Sequence, residues 1–218
     1  KSVPEADLVV IDECHLANSD SFTWVIDQYP QAFFLPVSAT PHHKKGFRHI
    51  ANQVVYPITI SELIEQGYLS KPRYFAPTKI DFSSVKIDSS TGEYNNEEAA
   101  ELLRKSTVYG DVVDNYKKLA DGMPAVLFAV NIEHSKFVVD KFNSAGIPSL
   151  HVEADTPPTK RAEAIEKLRT GEIKILSNVG ILTTGVDIPF LKVVIFARPT
   201  KSYNLYIQMI GRGTRVME

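Results

Sequence analysis

The feature that most constrains this chain is the regular exchange of short apolar runs with stretches of helical spacing. Apolar runs stand at Leu8–Ile11, Phe33–Val37, Arg73–Ala76, Ala125–Ala129, Ser149–Val152, Lys174–Ser177 and Val193–Ala197. Each has the length of a strand and is too short for a helix that buries a face. Between the later runs, Ile132–Ala145 sets Phe137, Val138, Lys141 and Phe142 at helical spacing. Pro157–Arg169 reads as another helix, with Asp155 and Thr156 as its cap region, Pro157 near its first turn and Gly171 just past its end. Tyr203–Ile210 reads as a further short helix. Strands that alternate with helices form a parallel sheet covered by those helices, so the expected fold class is α/β. Functional side chains of such sheets gather at the carboxyl ends of the strands.

The runs are unevenly distributed. Residues 1–52 hold two of them, too few for a complete α/β domain. Residues 53–72 read as a connector, with "SELIEQGYLSKP" (61–72) as a short helix and its exit. Residues 73–218 hold five runs and several helices, enough for one domain. Within that domain Ile80–Tyr94 alternates around a Ser/Thr/Gly turn, which predicts a hairpin excursion. "NNEEAAELLRKS" (95–106) begins a helix whose early acids suit the helix dipole and face solvent. The net charge is -2, so any polyanion must be met by a local patch rather than by a basic balance. A single cysteine, Cys14, excludes an intrachain disulfide and fits a reducing compartment. No apolar run approaches the ~20 residues of a membrane span, and no signal peptide is visible. The chain opens without methionine, so a fragment or a processed chain is expected.

Leu8–Ile11 ends on Asp12, Glu13, Cys14 and His15. Paired acids at the tip of a buried strand are costly to desolvate unless a cation sits there. One reading is a plain strand followed by a polar loop. The other has Asp12 holding Mg²⁺ through water while Glu13 polarises an attacking water. A zinc site on Cys14 and His15 is not supported, since there is no second cysteine and no ligand spacing among the other histidines. Cys14 reads as a small buried spacer. Ser38-Ala39-Thr40-Pro41 follows the second run and alone would be a cap or turn. In "NVGILTTGVDIP" (178–189), Thr183 and Thr184 can donate to a phosphate, Gly185 admits close approach, and Asp187 can accept from a sugar hydroxyl; a capped loop is the plainer alternative. In "YIQMIGRGTR" (206–215), Arg212 and Arg215 are three apart, so on a helix they would share a face and clamp a polyanion. An amphipathic basic terminus is the alternative there.

Taken in order, "DECH", "SATP", "NVGILTTGVDIP" and "QMIGRGTR" resemble motifs II, III, V and VI of the superfamily 2 helicases and translocases of DEAD/DEAH type, with "AVLFAVNIEHSKFV" (125–138) similar to motif IV. The resemblance covers essentially the whole chain. It implies two RecA-like domains with ATP in the cleft between them: residues 1–52 as the C-terminal part of the first, and 73–218 as the second. It implies Asp12 as the Mg²⁺ carboxylate and Glu13 as the water-activating one, both near the metal. His15 would reach Gln208 and link nucleotide state to closure, while Ser38 and Thr40 would couple hydrolysis to nucleic-acid binding. Gly185 and Asp187 would lie near the ribose and phosphates, with Arg212 and Arg215 as arginine fingers. Thr183 and Thr184 would touch the nucleic-acid backbone.

Other residues admit a nucleic-acid role beside a plainer one. His42, His43, Lys44, Lys45 and Arg48 form a basic cluster suited to phosphate contact, or a solvated loop. Arg73 and Tyr74 fit the same surface, or are strand residues. Lys160 and Arg161 open a helix, unfavourably for its dipole unless an anion lies near. Trp24 reads as a packing residue.

One departure stands out. Such motors hold the β- and γ-phosphates with a loop ending in Gly-Lys-Thr or Gly-Lys-Ser, yet none of the eleven glycines here is followed by lysine. The expectation is therefore the C-terminal portion of a motor, partnered by the upstream half of its first domain and inactive alone as an ATPase. The expected cofactors are ATP and Mg²⁺. The expected track is DNA rather than RNA, because "DECH" with "IEQGYLSKP" and "GVDIP" looks more like the restriction, repair and phage branch. The expected location is the cytoplasm or nucleoid, with no membrane. A restriction- or remodelling-type duplex translocase subunit and a non-catalytic nucleic-acid-binding module remain as alternatives.

Overall fold

Residues 1–59 and 60–218 form separate units. The computed structural model describes residues 3–16, 20–41, 46–48, 50–76, 80–105, 108–183 and 186–216.

In the first unit, β1 (Leu8–Ile11) pairs in parallel with β2 (Phe33–Pro36), Leu8 opposite Phe33 and Ile11 opposite Pro36. Side chains alternate across a strand, so this register sorts the residues by face. Val9, Ile11 and Phe34 pack with Cys14, Phe47 and Ile50 and with Phe22 and Ile26 of α1 (Asp20–Asp27). Leu8, Val10, Phe33 and Leu35 fall on the other face and are exposed, Phe33 at 80%. A two-stranded sheet with one small cluster covers only one of its sides. Trp24 of α1 is 53% exposed, which corrects its reading as a packing residue.

The second unit opens with α2 (Ile60–Glu65), none of whose residues is buried. The chain then pairs with its own far end: Leu69 bridges Arg215 in antiparallel fashion, and Ser70 N donates to the Thr214 carbonyl at 2.7 Å. Arg73–Ala76, expected as a strand, is irregular. Pro72 and Pro77 flank it, and each lacks the N–H a ladder needs; the Arg73 guanidinium instead lies 5.6 Å over the Phe75 ring. The hairpin excursion is present, with Ile87 bridged to Tyr94 and Gly92 at φ 72° in its turn.

After it come α3 (Asn96–Lys105), α4 (Val108–Ala120), β3 (Ala125–Ala129), α5 (Ile132–Ser144), β4 (Ser149–Val152), α6 (Pro158–Thr170), β5 (Ile175–Asn178), β6 (Val193–Ala197) and α7 (Tyr203–Gly211). The four strands pair in the order β4-β5-β3-β6, all parallel. Among the described residues the unit thus has four sheet strands where five runs were expected. β3 is central and buried on both faces, as a parallel strand under two helical layers must be. Leu127 packs with Tyr116 of α4 and with Val138 and Phe142 of α5. Val126 and Phe128 pack with Ala164 and Leu168 of α6, Leu182, and Met209 of α7. The result is a three-layer α/β domain. The ends of α6 follow expectation only in part. Gly171 takes the left-handed C-cap at φ 79°, but the N-cap is Pro157 without a side-chain bond. Thr156 Oγ1 accepts from Glu153 N instead, at 2.9 Å.

Candidate nucleotide and nucleic-acid site

Parallel pairing of β1 and β2 puts both carboxyl ends on one edge, and that edge gathers the first set of motif residues. Val37 N donates to the Ile11 carbonyl and Cys14 N to the Val37 carbonyl, so the two exits are stitched together. Asp12 is exposed, and its Oδ1 accepts from Glu13 N at 2.8 Å. Glu13 has φ 50°, the only non-glycine residue with positive φ among the described ones. That conformation costs about 1–2 kcal/mol for an L-residue, and such strain persists where the surroundings enforce it. Here they do: the Glu13 carboxylate lies 3.2 Å from His15 Nδ1, which lies 2.9 Å from Ser38 Oγ. Ser38 Oγ also accepts from Thr40 N at 3.0 Å. His15 and Thr40 are buried, and Thr40 Oγ1 has no hydrogen-bond partner among the described residues. Because Ser38 Oγ accepts from Thr40, its own proton can go to His15 Nδ1; a proton on Nδ1 turns that nitrogen toward Glu13 instead. Cys14 is buried, and burial, then Glu13 and Asp12, push its thiol above the ordinary range. It is a neutral spacer.

The second set lies in the second unit, on the loop after β5 and the exit of α7. Buried Asn178 ends β5, donates to the Leu127 carbonyl at 3.0 Å and accepts from Leu182 N at 3.3 Å. It ties the loop to the central strand. The loop turns at Gly180 (φ 70°), and the buried Thr183 donates through Oγ1 to the Gly180 carbonyl at 3.2 Å. Arg212 wraps the same loop: its guanidinium donates to the Thr183 carbonyl, with Nε at 3.2 Å, and to the Val186 carbonyl. Arg215 pairs with the exposed Asp187.

Both arginines therefore reach the same loop, Arg212 at Thr183 and Val186 and Arg215 at Asp187, but not by sharing a helix face. The helix α7 ends at Gly211, Arg212 is its C-cap, and Arg215 lies in the extended bridge to Leu69. Gly213 explains the break. A Cβ there would lie 2.8 Å from Val194 Cγ2 of β6, so glycine lets the exit lie on the sheet without displacing that side chain. Gln208 sits on α7, half-buried. Arg48 is exposed in a turn. Thr184, Gly185, His42, His43, Lys44 and Lys45 lie outside the described residues. Arg161, at the start of α6, donates to the Thr156 carbonyl at 3.1 Å.

Mg²⁺ fits the donor set only in the water-rich manner usual for it, on one or two carboxylates with phosphates completing its shell. Asp12 and Glu13 supply that, while no cluster of three or more metal-ligating side chains occurs among the described residues. Asn178 was missed by sequence reasoning, although an asparagine closing the apolar run Lys174–Ser177 was a usable signal. No helix among the described residues is long and apolar enough to cross a membrane.

Residues 99–217 match the helicase conserved C-terminal domain. A 51.5 kDa protein of a Lactococcus phage (isolate 7-9) is 33% identical over 95% of this chain and 46% of its own length. The "Putative ATP-dependent helicase IRC3" of Saccharomyces cerevisiae is 29% identical over 96% of this chain and 32% of its own. The fragment structure of a "putative HsdR subunit of a type I restriction enzyme" from Vibrio vulnificus YJ016 shares the fold, with TM-score 0.69 at 22% identity, over 97% of this chain and 41% of that one. The chain belongs to the family defined by the helicase conserved C-terminal domain. It spans less than half the length of these curated relatives.

Proposed function

We propose that this chain is part of an ATP-driven motor that moves on nucleic acid. The observation that carries this reading is the bonded array Glu13–His15–Ser38–Thr40 at one strand edge. A decayed site would have no reason to keep a strained glutamate wired to a buried histidine and serine.

On this reading Asp12 would hold Mg²⁺ and Glu13 would orient the attacking water. Bound Mg²⁺ supplies neutralisation of phosphate charge. His15 passes any movement of Glu13 to Ser38, whose hydroxyl sets the backbone at Thr40. Asp187 and Gly185 serve the ribose and phosphates. Arg215 and Arg212 offset charge on the transferred phosphoryl group. To reach it Arg215 gives up one surface ion pair, worth about 0–1 kcal/mol. Arg212 must release main-chain carbonyls as well, so Arg215 carries the larger share. Arg48, Lys44, Lys45, Thr183 and Thr184 serve the nucleic-acid side, Thr183 after its hydroxyl leaves the Gly180 carbonyl. DNA is the favoured track, and residues 1–218 alone, with no Gly-Lys pair, do not turn over ATP appreciably.

The test is ATP hydrolysis by the full-length product of the reading frame that encodes this chain, with single- and double-stranded DNA and RNA, and with Arg215→Ala as control. Stimulation by DNA that the control abolishes is the expected result. No hydrolysis with any polymer sinks the motor reading and leaves a nucleic-acid-binding module. Turnover by residues 1–218 alone that vanishes in Glu13→Gln overturns the claim that they are inactive.

A further inference from the structure

Residues 198–202 join β6 to α7, and one distant carboxylate organises them. Glu93 Oε2 accepts from Thr200 Oγ1 at 3.0 Å and from Lys201 N at 3.1 Å. Thr200 Oγ1 accepts in turn from Ser202 N at 3.0 Å. Ser202 is the N-cap of α7, its Oγ accepting from Leu205 N at 3.3 Å. The contacts thus run without a gap from Glu93 through Thr200 and Ser202 into the first turn of α7. Beside them the Lys201 ammonium lies 5.7 Å over the Tyr94 ring.

Glu93 also faces a half-buried cation. Burial pulls the Arg198 guanidinium below the ordinary arginine range, and the Glu93 charge opposes that shift. Arg198 Nε is buried without a hydrogen-bond partner among the described residues. Hydrogen bonds to an ionised acceptor are roughly twice as strong as neutral ones, so one anion here holds the loop and compensates the guanidinium. It is held firmly itself. Glu93 sits in the hairpin closed by Ile87 and Tyr94. The hairpin is anchored to α3 where Lys86 N donates to Glu98 Oε2 at 2.8 Å and Asn95 Oδ1 accepts from Glu98 N at 3.0 Å. The excursion at 80–94 is therefore a strut between α3 and the start of α7.

We propose that Glu93 is a positioning residue for α7: its carboxylate fixes Thr200, Thr200 fixes the Ser202 cap, and the cap sets the axis along which Gln208 and Arg212 are carried. Its bearing on turnover rests on the function proposed above; its bearing on α7 does not.

Amide hydrogen exchange on the 218-residue chain separates the two. Glu93→Ala is expected to speed exchange of the α7 amides Leu205–Gly211 about tenfold or more relative to those of β3. Glu93→Gln, which keeps an acceptor without the charge, should fall between. Thr200→Val, which removes the donor and preserves shape, should move α7 the same way and covers the case in which Glu93→Ala does not fold. Acceleration spread evenly over α7 and β3, or none in α7, overturns the proposal. In the full-length protein Glu93→Ala should lower kcat about tenfold with KM for ATP within twofold. An unchanged kcat beside a loosened α7 refutes the catalytic part of the proposal. Absent turnover in the parent protein refutes the motor reading instead and leaves the exchange result to stand.

Discussion

Gly213→Ala is the sharpest test of how the exit of α7 is built. The added Cβ would meet Val194 Cγ2 at 2.8 Å and the Ile210 carbonyl at 3.7 Å. Carbon atoms rest best at about 3.5–4.0 Å, so the first contact is short by about 1 Å and the second is ordinary. Gly213 is not among the glycines with positive φ, so its backbone would accept alanine and the whole penalty is the contact with Val194. Overpacking of this kind costs about 1–3 kcal/mol. The remedy follows from the geometry: Val194→Ala deletes the offending methyl. That change has its own cost for lost burial, but in its background Gly213→Ala should cost about 0.5 kcal/mol or less. Urea denaturation followed by far-UV circular dichroism, on the parent, both single variants and the double, gives the coupling energy. We expect about 1–2 kcal/mol. Additivity within about 0.5 kcal/mol would mean that the two positions do not touch, and the account of the helix break would fail.

Two further predictions follow from the same unit. Gly211 is the last residue of α7, and a Cβ there meets nothing within 4 Å. Gly211→Ala should therefore raise stability by about 0.5–1 kcal/mol, the usual helical penalty of glycine, and a loss in the same denaturation assay would contradict that. His134 is fully buried, its Nδ1 accepts from Val130 N at 3.2 Å, and burial with the nearby Arg104 charge lowers its pKa to about 4. A depressed histidine pKa means that the unfolded chain takes up the proton first. Its contribution is complete above about pH 6.5 and drains away as the pH falls toward 4, by up to about 3 kcal/mol at 1.36 kcal/mol per unit. His134→Asn keeps an acceptor near the Val130 amide but does not titrate. Its stability should fall less than that of the parent between pH 7 and 4.5, and parallel curves would disprove the assignment.

Much of this architecture could be read in advance where a short apolar run marked a strand. β3, β4 and β6 fall at the residues expected, and β5 is displaced by one. In β3 and β5, buried throughout, burial and strand propensity agree. Arg73–Ala76 misled because alternation alone does not show the two missing prolyl donors beside it. The helices α1 and α4 had no counterpart in the expectation; Gly110 dilutes the pattern of α4. The order of motifs was plain, and the first set does meet at one edge, because parallel pairing brings strand exits together. The relation of Arg212 to Arg215 was misjudged because helical spacing was carried past Gly211, whereas the sheet contact at Gly213 ends the helix. Glu93 was beyond reach: its partners lie over a hundred residues away, and no local pattern marks an acid that will face them.

The bridge between Leu69–Ser70 and Thr214–Arg215 makes the way into the second unit and the way out of it mechanical neighbours. A pull applied through the chain on either side would be borne first by this small clasp, while the four-stranded sheet stayed unloaded. The clasp lies beside Arg215, which also grips Asp187. A pull on either side of the clasp would thus be felt at that arginine before it reached the core.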